Sequence, residues 1–278
     1  MMQSDLWYEQ QYDTCYSVVD EGSILENWKR RAAQTRAKLN FNADLRYGAH
    51  KREILDFYPA AKAHGAVIFI HGGYWRMLSK LETSWVADGF VGQGVSVALV
   101  NYPLCPEVTL SEIRGSIIRS FVHIYKYVLN EDERRNIVVT GHSAGGHLAA
   151  LHLATDWRTY GLPENPIGGV IAISGIYDVG PLMQTSMNVD IRITQDTALN
   201  LNLMTTKICS RAPIVFAVGG DEPQEFHRQA ADQARAWAVL EPRVLSLAGA
   251  NHFTVVDALA DRAGEINMVA QAMLSRKI

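Results

Sequence analysis

Acyl transfer to a side-chain oxygen needs a hydroxyl nucleophile, a base to take its proton and a carboxylate to hold the base. Residues 141–145, Gly-His-Ser-Ala-Gly, offer the first of these. Gly141-x-Ser143-x-Gly145 fits the G-x-S-x-G nucleophile elbow, a strained strand-to-helix turn that exposes the serine Oγ. The β-branched run Val138-Val139-Thr140 precedes it and small residues from Ala144 follow, so the context reads as strand, turn and helix. Side chains at 141 and 145 would collide with the neighbouring strand and helix, which accounts for both glycines. The helix N-terminus beneath Ser143 favours negative charge beside it.

The base and the acid must come from elsewhere in the chain. His252 is the candidate base, because an imidazole near neutral pKa can both accept and return a proton. Asp221 is the expected acid, holding the other ring nitrogen. Backbone N–H groups would stabilise the tetrahedral oxyanion. Ala144 supplies one as the residue after the nucleophile. Gly72 and Gly73 of His71-Gly72-Gly73 supply the others, with the N–H of Tyr74 also in reach. Asp178 follows another strand and rivals Asp221. Glu222 is adjacent to Asp221 but is expected to point elsewhere. His142 and His147 flank the serine, where the elbow directs their side chains away from Oγ. His71 is expected to hold its loop. No H-E-x-x-H or comparable ligand spacing occurs, so no catalytic metal is expected. Gly219-Gly220 lacks the context of a nucleotide loop.

These residues need a scaffold that gathers them. Apolar runs at 66–70, 95–100, 169–174 and 213–218 read as buried parallel strands, with the elbow strand between them. Residues 243–247 read as the last strand. Leu45-Arg46-Tyr47 and 53–58 read as two strands, the second antiparallel and near a sheet edge. Helices are expected at about 81–93, 110–129, 224–240 and 262–275, and a charged loop at 131–136. In 110–129, Ile113, Ile117, Phe121, Ile124 and Val128 share one face. Strand and helix alternate from residue 66, which predicts a mostly parallel central sheet with helices on both faces. His71-Gly72-Gly73, Ser143, Asp221 and His252 each follow a predicted strand, where ligands bind in such sheets.

Residues 1–44 read as a polar helical extension and 179–208 as a small lid. No linker, repeat or low-complexity segment is present, so 1–278 is expected to form a single domain. Lys29, Arg30, Arg31 and Arg36 read as a solvated helix face. Trp7, Tyr8, Tyr12 and Tyr16 could pack on the body, cover the site or meet a second subunit in a homodimer.

Composition narrows the function classes. The 278 residues can bury a sizeable core. A net charge of −3 offers no electrostatic case for nucleic acid or an anionic membrane. No apolar run approaches the ~20 residues of a membrane span. The opening residues lack the basic and apolar regions of a signal peptide, so a cytoplasmic protein is expected. Cys15, Cys105 and Cys209 are odd in number and far apart, which argues against a disulfide framework or a cysteine zinc site.

The order Ser, Asp, His along the chain is that of the α/β-hydrolases. The stretches 71–75 (His-Gly-Gly-Tyr-Trp), 141–147 (Gly-His-Ser-Ala-Gly-Gly-His), 174–178 (Ser-Gly-Ile-Tyr-Asp) and 219–222 (Gly-Gly-Asp-Glu) resemble kynurenine formamidases (arylformamidases) and their esterase relatives. The likeness runs from about residue 45 and more loosely through the N-terminal helices. Related hormone-sensitive-lipase-type esterases usually carry a third glycine where Tyr74 stands. The resemblance implies an α/β-hydrolase fold, a Ser143–Asp221–His252 triad, no cofactor, and a small-molecule substrate. That substrate is N-formyl-L-kynurenine, cleaved to kynurenine and formate in tryptophan breakdown. Tyr74 and Trp75 are candidate stacking residues for the aromatic leaving group, with core packing the alternative for Trp75. A carboxylesterase or another amidase would use the same site. A non-catalytic binding protein of this fold would not need an intact triad.

Overall fold

A computed structural model describes residues 3–275. Met1 and Met2, part of the stretch read for a signal peptide, and residues 276–278 lie outside the described residues. The strands are β1 (Asn42–Arg46), β2 (Ile54–Tyr58), β3 (Gly65–Ile70), β4 (Val95–Val100), β5 (Ile137–His142), β6 (Gly169–Ile173), β7 (Ile214–Gly219) and β8 (Arg243–Leu247). They form one eight-stranded sheet in the order β1-β2-β4-β3-β5-β6-β7-β8. The β1–β2 and β2–β4 pairs are antiparallel, and every other pair is parallel.

The chain leaves β3 for β4 on one side and returns to β5 on the other. The strand order therefore reverses between β3 and β5, and a crevice opens above their C-terminal ends. Their register pairs Ile70 with Gly141, which sets His71-Gly72-Gly73 beside His142-Ser143. Residues some seventy positions apart in sequence are thereby made neighbours by backbone pairing alone.

The helices are α1 (Gln3–Tyr12), α2 (Glu21–Lys38), α3 (Leu110–His123), α4 (Glu131–Arg134), α5 (Ala144–Ala150), α6 (Asn188–Ile191), α7 (Gln195–Leu201), α8 (Gln224–Ala236), α9 (Asp257–Ala260) and α10 (Glu265–Leu274). Alternate strand residues feed two cores, as the period of two requires. Ile68, Ile70, Val139 and Phe216 pack under α3, α5 and α8 on one face. Val67, Phe69, Val138 and Ile171 pack under α2 and α10 on the other.

Local expectations meet three corrections. Residues 131–136 begin with the short helix α4, because Asn130 and Glu133 form a reciprocal capping box. Residues 81–93 form two 3₁₀ turns, Ser84–Gly89 and Val91–Gln93, in place of one regular helix. They lie tight against the C-terminal segment: a Cβ on Gly89 would stand 2.7 Å from the Ala260 carbonyl oxygen. The helix from Leu110 keeps its regular form to His123 and continues as a wider π turn over Ile124–Val128.

Residues 179–208 hold a 3₁₀ turn (Gly180–Gln184), α6 and α7. Among the described residues no helix is long and apolar enough to cross a membrane, and Cys105 and Cys209 are free thiols.

Candidate active site

The elbow is built from backbone proximity. Ser143 sits at φ 56° and ψ −121°, outside the ordinary regions for a residue with a Cβ. Its N–H donates to the Ile173 carbonyl at 2.8 Å, which ties the turn to β6. A Cβ on Gly145 would stand 2.0 Å from the Ile70 oxygen, and one on Gly141 2.2 Å from the Gly145 oxygen. Neither position has room for a side chain, so the helix packs against β3 and β5 at glycine distance. Ser143 Oγ is buried and has no hydrogen-bond partner among the described residues. A buried hydroxyl left unmet is costly, and Ser143 is among the residues that line a cavity at this turn.

His252 lines the same cavity and is almost fully buried. Its Nδ1 lies 2.7 Å from Oε2 of Glu222. The other carboxylate oxygen, Oε1, accepts from the Ser174 hydroxyl at 2.5 Å and from the Gly219 N–H at 2.6 Å. Glu222 is therefore held on both oxygens, and its side chain has no exposed surface. This corrects the expectation for Asp221, which is exposed. The physical reason is the turn after β7. The Glu222 N–H closes back on the Gly219 carbonyl at 3.1 Å, so the fourth residue of the turn points down toward the sheet and the third points out. Glutamate's extra methylene then reaches His252. Asp178, the rival acid, caps its own loop by accepting from the Gly180 N–H at 3.0 Å.

The flanking histidines are structural. His142 Nε2 is 2.7 Å from the His252 carbonyl oxygen, and the two rings are 4.8 Å apart. Burial pushes the His142 imidazole down to about 3, so it is neutral and Nε2 carries the donated proton. His142 thus supports the backbone of His252. His147 Nε2 bonds the Leu201 carbonyl at 3.2 Å. His71 stacks on Tyr102 at 4.2 Å with its Nδ1 2.8 Å from the Gly72 carbonyl, and Tyr102 Oη donates to the His71 carbonyl at 2.9 Å. Both histidines hold their loops.

The N–H groups expected to form the oxyanion site lie on two adjoining turns, after β3 and after β5. Ala144 opens α5, so its N–H has no intrahelical acceptor. The N–H groups of Gly72 and Gly73 donate to no acceptor among the described residues. A Cβ on Gly72 would lie 3.0 Å from the Ser143 Cβ, which places this backbone against Ser143. Gly73 adopts φ +99°, a conformation that favours glycine.

The two residues expected to stack with substrate part company. Tyr74 lines the cavity, and its Oη donates to the Tyr12 carbonyl. Trp75 does not line it: its ring packs edge-on against His147 in the core. The residue that takes an aromatic place at the cavity is Trp28 of α2, buried to 1% exposure, with Phe253 6.0 Å and His142 5.9 Å away. Its sequence signal was an aromatic residue in a basic amphipathic helix, which does not distinguish a cavity wall from core. Asp13, Glu21, Arg76 and Met187 also line the cavity and carried no local signal. The described residues contain no group of three or more His, Cys, Asp or Glu arranged to hold a metal ion.

The cavity is narrow, about 50 Å³. In the same measure one water needs roughly 10–15 Å³, so it holds a small acyl group or a few waters.

A serine on an elbow, an imidazole held by a buried carboxylate, and free backbone donors beside them are the parts of an α/β-hydrolase. Residues 67–238 match the family described as alpha/beta hydrolase fold. The chain is 33% identical over 230 residues to the kynurenine formamidase of Salmo salar, covering 77% of this chain and 76% of that protein. It is 32% identical over 232 residues to the kynurenine formamidase of Danio rerio, with 78% and 76% covered. Among solved structures, a "putative thioesterase" from Silicibacter sp. TM1040 superposes with a TM-score of 0.85 at 31% identity, over 95% of this chain and 99% of that one. The chain belongs to the α/β-hydrolase-fold family, among its kynurenine formamidase-like members, and is a hydrolase.

Proposed function

We propose that this hydrolase cleaves an aryl formamide, N-formyl-L-kynurenine, to L-kynurenine and formate through a formyl-enzyme on Ser143. The reading is supported by His252, paired with Glu222, lining the same narrow cavity as Ser143, whose hydroxyl has no partner among the described residues, in a chain similar to kynurenine formamidases. His252 Nε2 takes the Ser143 proton as Oγ attacks the formyl carbon. Glu222 holds Nδ1 and stabilises the imidazolium that forms. The N–H groups of Gly72, Gly73 and Ala144 receive the oxyanion, each worth roughly 2.7–4 kcal/mol by analogy with a known single-donor deletion. His252 then returns the proton to the departing aniline nitrogen, and the C–N bond breaks. Water, deprotonated by the same imidazole, attacks the formyl ester and releases formate. The small cavity suits a formyl group, whose acyl side is a single hydrogen.

The thioesterase-described neighbour favours a second reading, a carboxylesterase or thioesterase using the same residues. Turnover of N-formyl-L-kynurenine is compared with that of p-nitrophenyl acetate, alongside labelling by a fluorophosphonate. The formamidase reading expects labelling at Ser143 and the higher kcat/KM on the formamide. Ester turnover without formamide cleavage sinks it, and absence of labelling on folded protein sinks both readings.

A further inference from the structure

The end of β6 carries a hydroxyl to which the reaction described above gives no part. Ser174 directly follows the strand and adopts φ 49°, a left-handed conformation that favours glycine. Its N–H donates to the Ala217 carbonyl at 2.7 Å, which carries the β6–β7 pairing one residue further and fixes the backbone there. A serine costs more than a glycine at such a position, and the interaction that offsets the strain is made by its side chain. Oγ is buried and donates to Glu222 Oε1 at 2.5 Å, beside the Gly219 N–H at 2.6 Å. Hydrogen bonds to an ionised oxygen are roughly twice as strong as those between neutral groups. Two donors on Oε1 fix the plane of the carboxylate and leave Oε2 to His252 Nδ1 at 2.7 Å. The preceding residue makes a second connection: the Ile173 carbonyl accepts from the Ser143 N–H at 2.8 Å. Two consecutive residues at one strand end therefore hold both the Ser143 turn and the Glu222 carboxylate.

We propose that Ser174 is a positioning residue whose hydroxyl fixes the rotation of the Glu222 carboxylate and, through it, the aim of the His252 ring at Ser143. The inference rests on the roles proposed above for Ser143, Glu222 and His252, and is the same for a formamide or an ester substrate. Around the Glu222–His252 pair, the His142 ring lies 4.8 Å from that of His252 and is neutral through burial. Burial also raises the Tyr177 phenol, which feels the Glu222 charge, far above its ordinary value. Asp221 is exposed in the same turn. His142 and Tyr177 keep their charge between about pH 5 and 9, so a moving acid limb in that range reports the Glu222–His252 pair.

Steady-state kinetics are measured as pH profiles for S174A, S174G, E222Q and S174A/E222Q, on whichever of N-formyl-L-kynurenine and p-nitrophenyl acetate the wild type turns over. S174A is expected to lower kcat about 10–100-fold, the loss of one hydrogen bond to a charged group, with KM within about twofold. The acid limb of kcat/KM is expected to move up by about one pH unit, because a carboxylate with one donor fewer holds the imidazolium proton more tightly. S174G removes the same hydroxyl and relieves the backbone at φ 49°, and the same loss is expected. It also keeps the test open should S174A fail to fold. A role for Ser174 in the fold alone predicts that S174G retains wild-type kcat, or that kcat falls with the acid limb unmoved. In the E222Q background S174A is expected to cost less than about twofold more, since its effect passes through the Glu222 charge. Wild-type kinetics in S174A and S174G, an unmoved acid limb, or full additivity with E222Q overturns the proposal and leaves the roles of Ser143, Glu222 and His252 standing. Wild-type kinetics in E222Q, or a wild type that neither turns over these substrates nor takes a fluorophosphonate label, removes those roles and the positioning role with them.

Discussion

The floor and the wall of the cavity are made differently. The floor comprises the turn after β3 and the elbow after β5. It is fixed by backbone pairing, by glycines whose Cβ atoms would stand 2.0–2.8 Å from carbonyl oxygens, and by neutral buried histidines. The wall comes in part from α2 and the segment that joins it to α1, with α1 packed behind. It is held by side chains: Tyr12 to Glu225, Tyr74 to the Tyr12 carbonyl, Arg31 to Asp257. A backbone-set floor allows little variation, because any side chain forces strands apart. A wall pinned by exchangeable side-chain contacts can change its lining without disturbing the nucleophile. With Ser143 and His252 acting as proposed, reaction type belongs to the floor and substrate choice to the wall.

The largest expected effects fall on the floor. S143A is expected to lower kcat by about 10⁴–10⁶-fold with an unchanged circular dichroism spectrum. E222Q is expected to cost about 10³–10⁴-fold in kcat, because the amide no longer stabilises the imidazolium, while D221N stays within about twofold. Steady-state kinetics decide between them, and the reverse result would restore Asp221 as the acid.

G145A and W28A set floor against wall more directly. G145A places a methyl group 2.0 Å from the Ile70 oxygen, so the α5 turn must shift. Loss of kcat at every substrate is expected. W28A empties a buried aromatic site, costing about 3–5 kcal/mol in chemical denaturation. Its effect on catalysis should be a raised KM with most of kcat retained. Equal loss of kcat in both variants would erase the distinction.

Acid should reach the floor before the wall. Burial pushes His71 and His142 down to about 3, and His147 and His152 down to about 4. Their unfolded values are near ~6.5. As pH falls below that, the unfolded chain binds protons that the native state refuses. Stability therefore drops from about pH 6.5 downward, each histidine contributing up to ~1.4 kcal/mol per pH unit. Glu225 is buried, which raises it, but hydrogen bonds from Arg228 and Tyr12 bring it below its ordinary value, so its wall contacts persist further into acid. Thermal melts from pH 7 to 4 should show Tm falling from the start of that range. A flat profile above pH 4.5 would contradict it.

What sequence reading reached follows the same division. The elbow, the glycine turn and His252 were legible because each is decided by residues within a few positions of it. The parallel sheet was legible because unbroken apolar runs are buried on both faces. The carboxylate beside His252 is not legible in this way: Asp221 and Glu222 are equivalent as text, and only the closure of the turn onto Gly219 brings Glu222 to His252. Trp28 and Arg76 were out of reach for another reason. Their partners, Phe253 and Asp190, lie on distant segments. Trp75 lies beside Tyr74 in sequence yet turns into the core, since consecutive left-handed residues (φ 47° and 56°) swing the two side chains apart.

The wall's partners also order events during synthesis. Tyr12 joins Glu225 across 213 residues and Arg31 joins Asp257 across 226. α2 can settle early on Trp85 and Asp88, but α1 has no place to dock until the segments that carry Gly180–Gln184 and Glu225 are made. Until then its aromatic face is exposed, and the sheet below it can assemble from β3 onward without it. An emerging chain would therefore own a nucleophile turn before it owns a pocket, and competence for substrate would arrive as one of the last steps of folding.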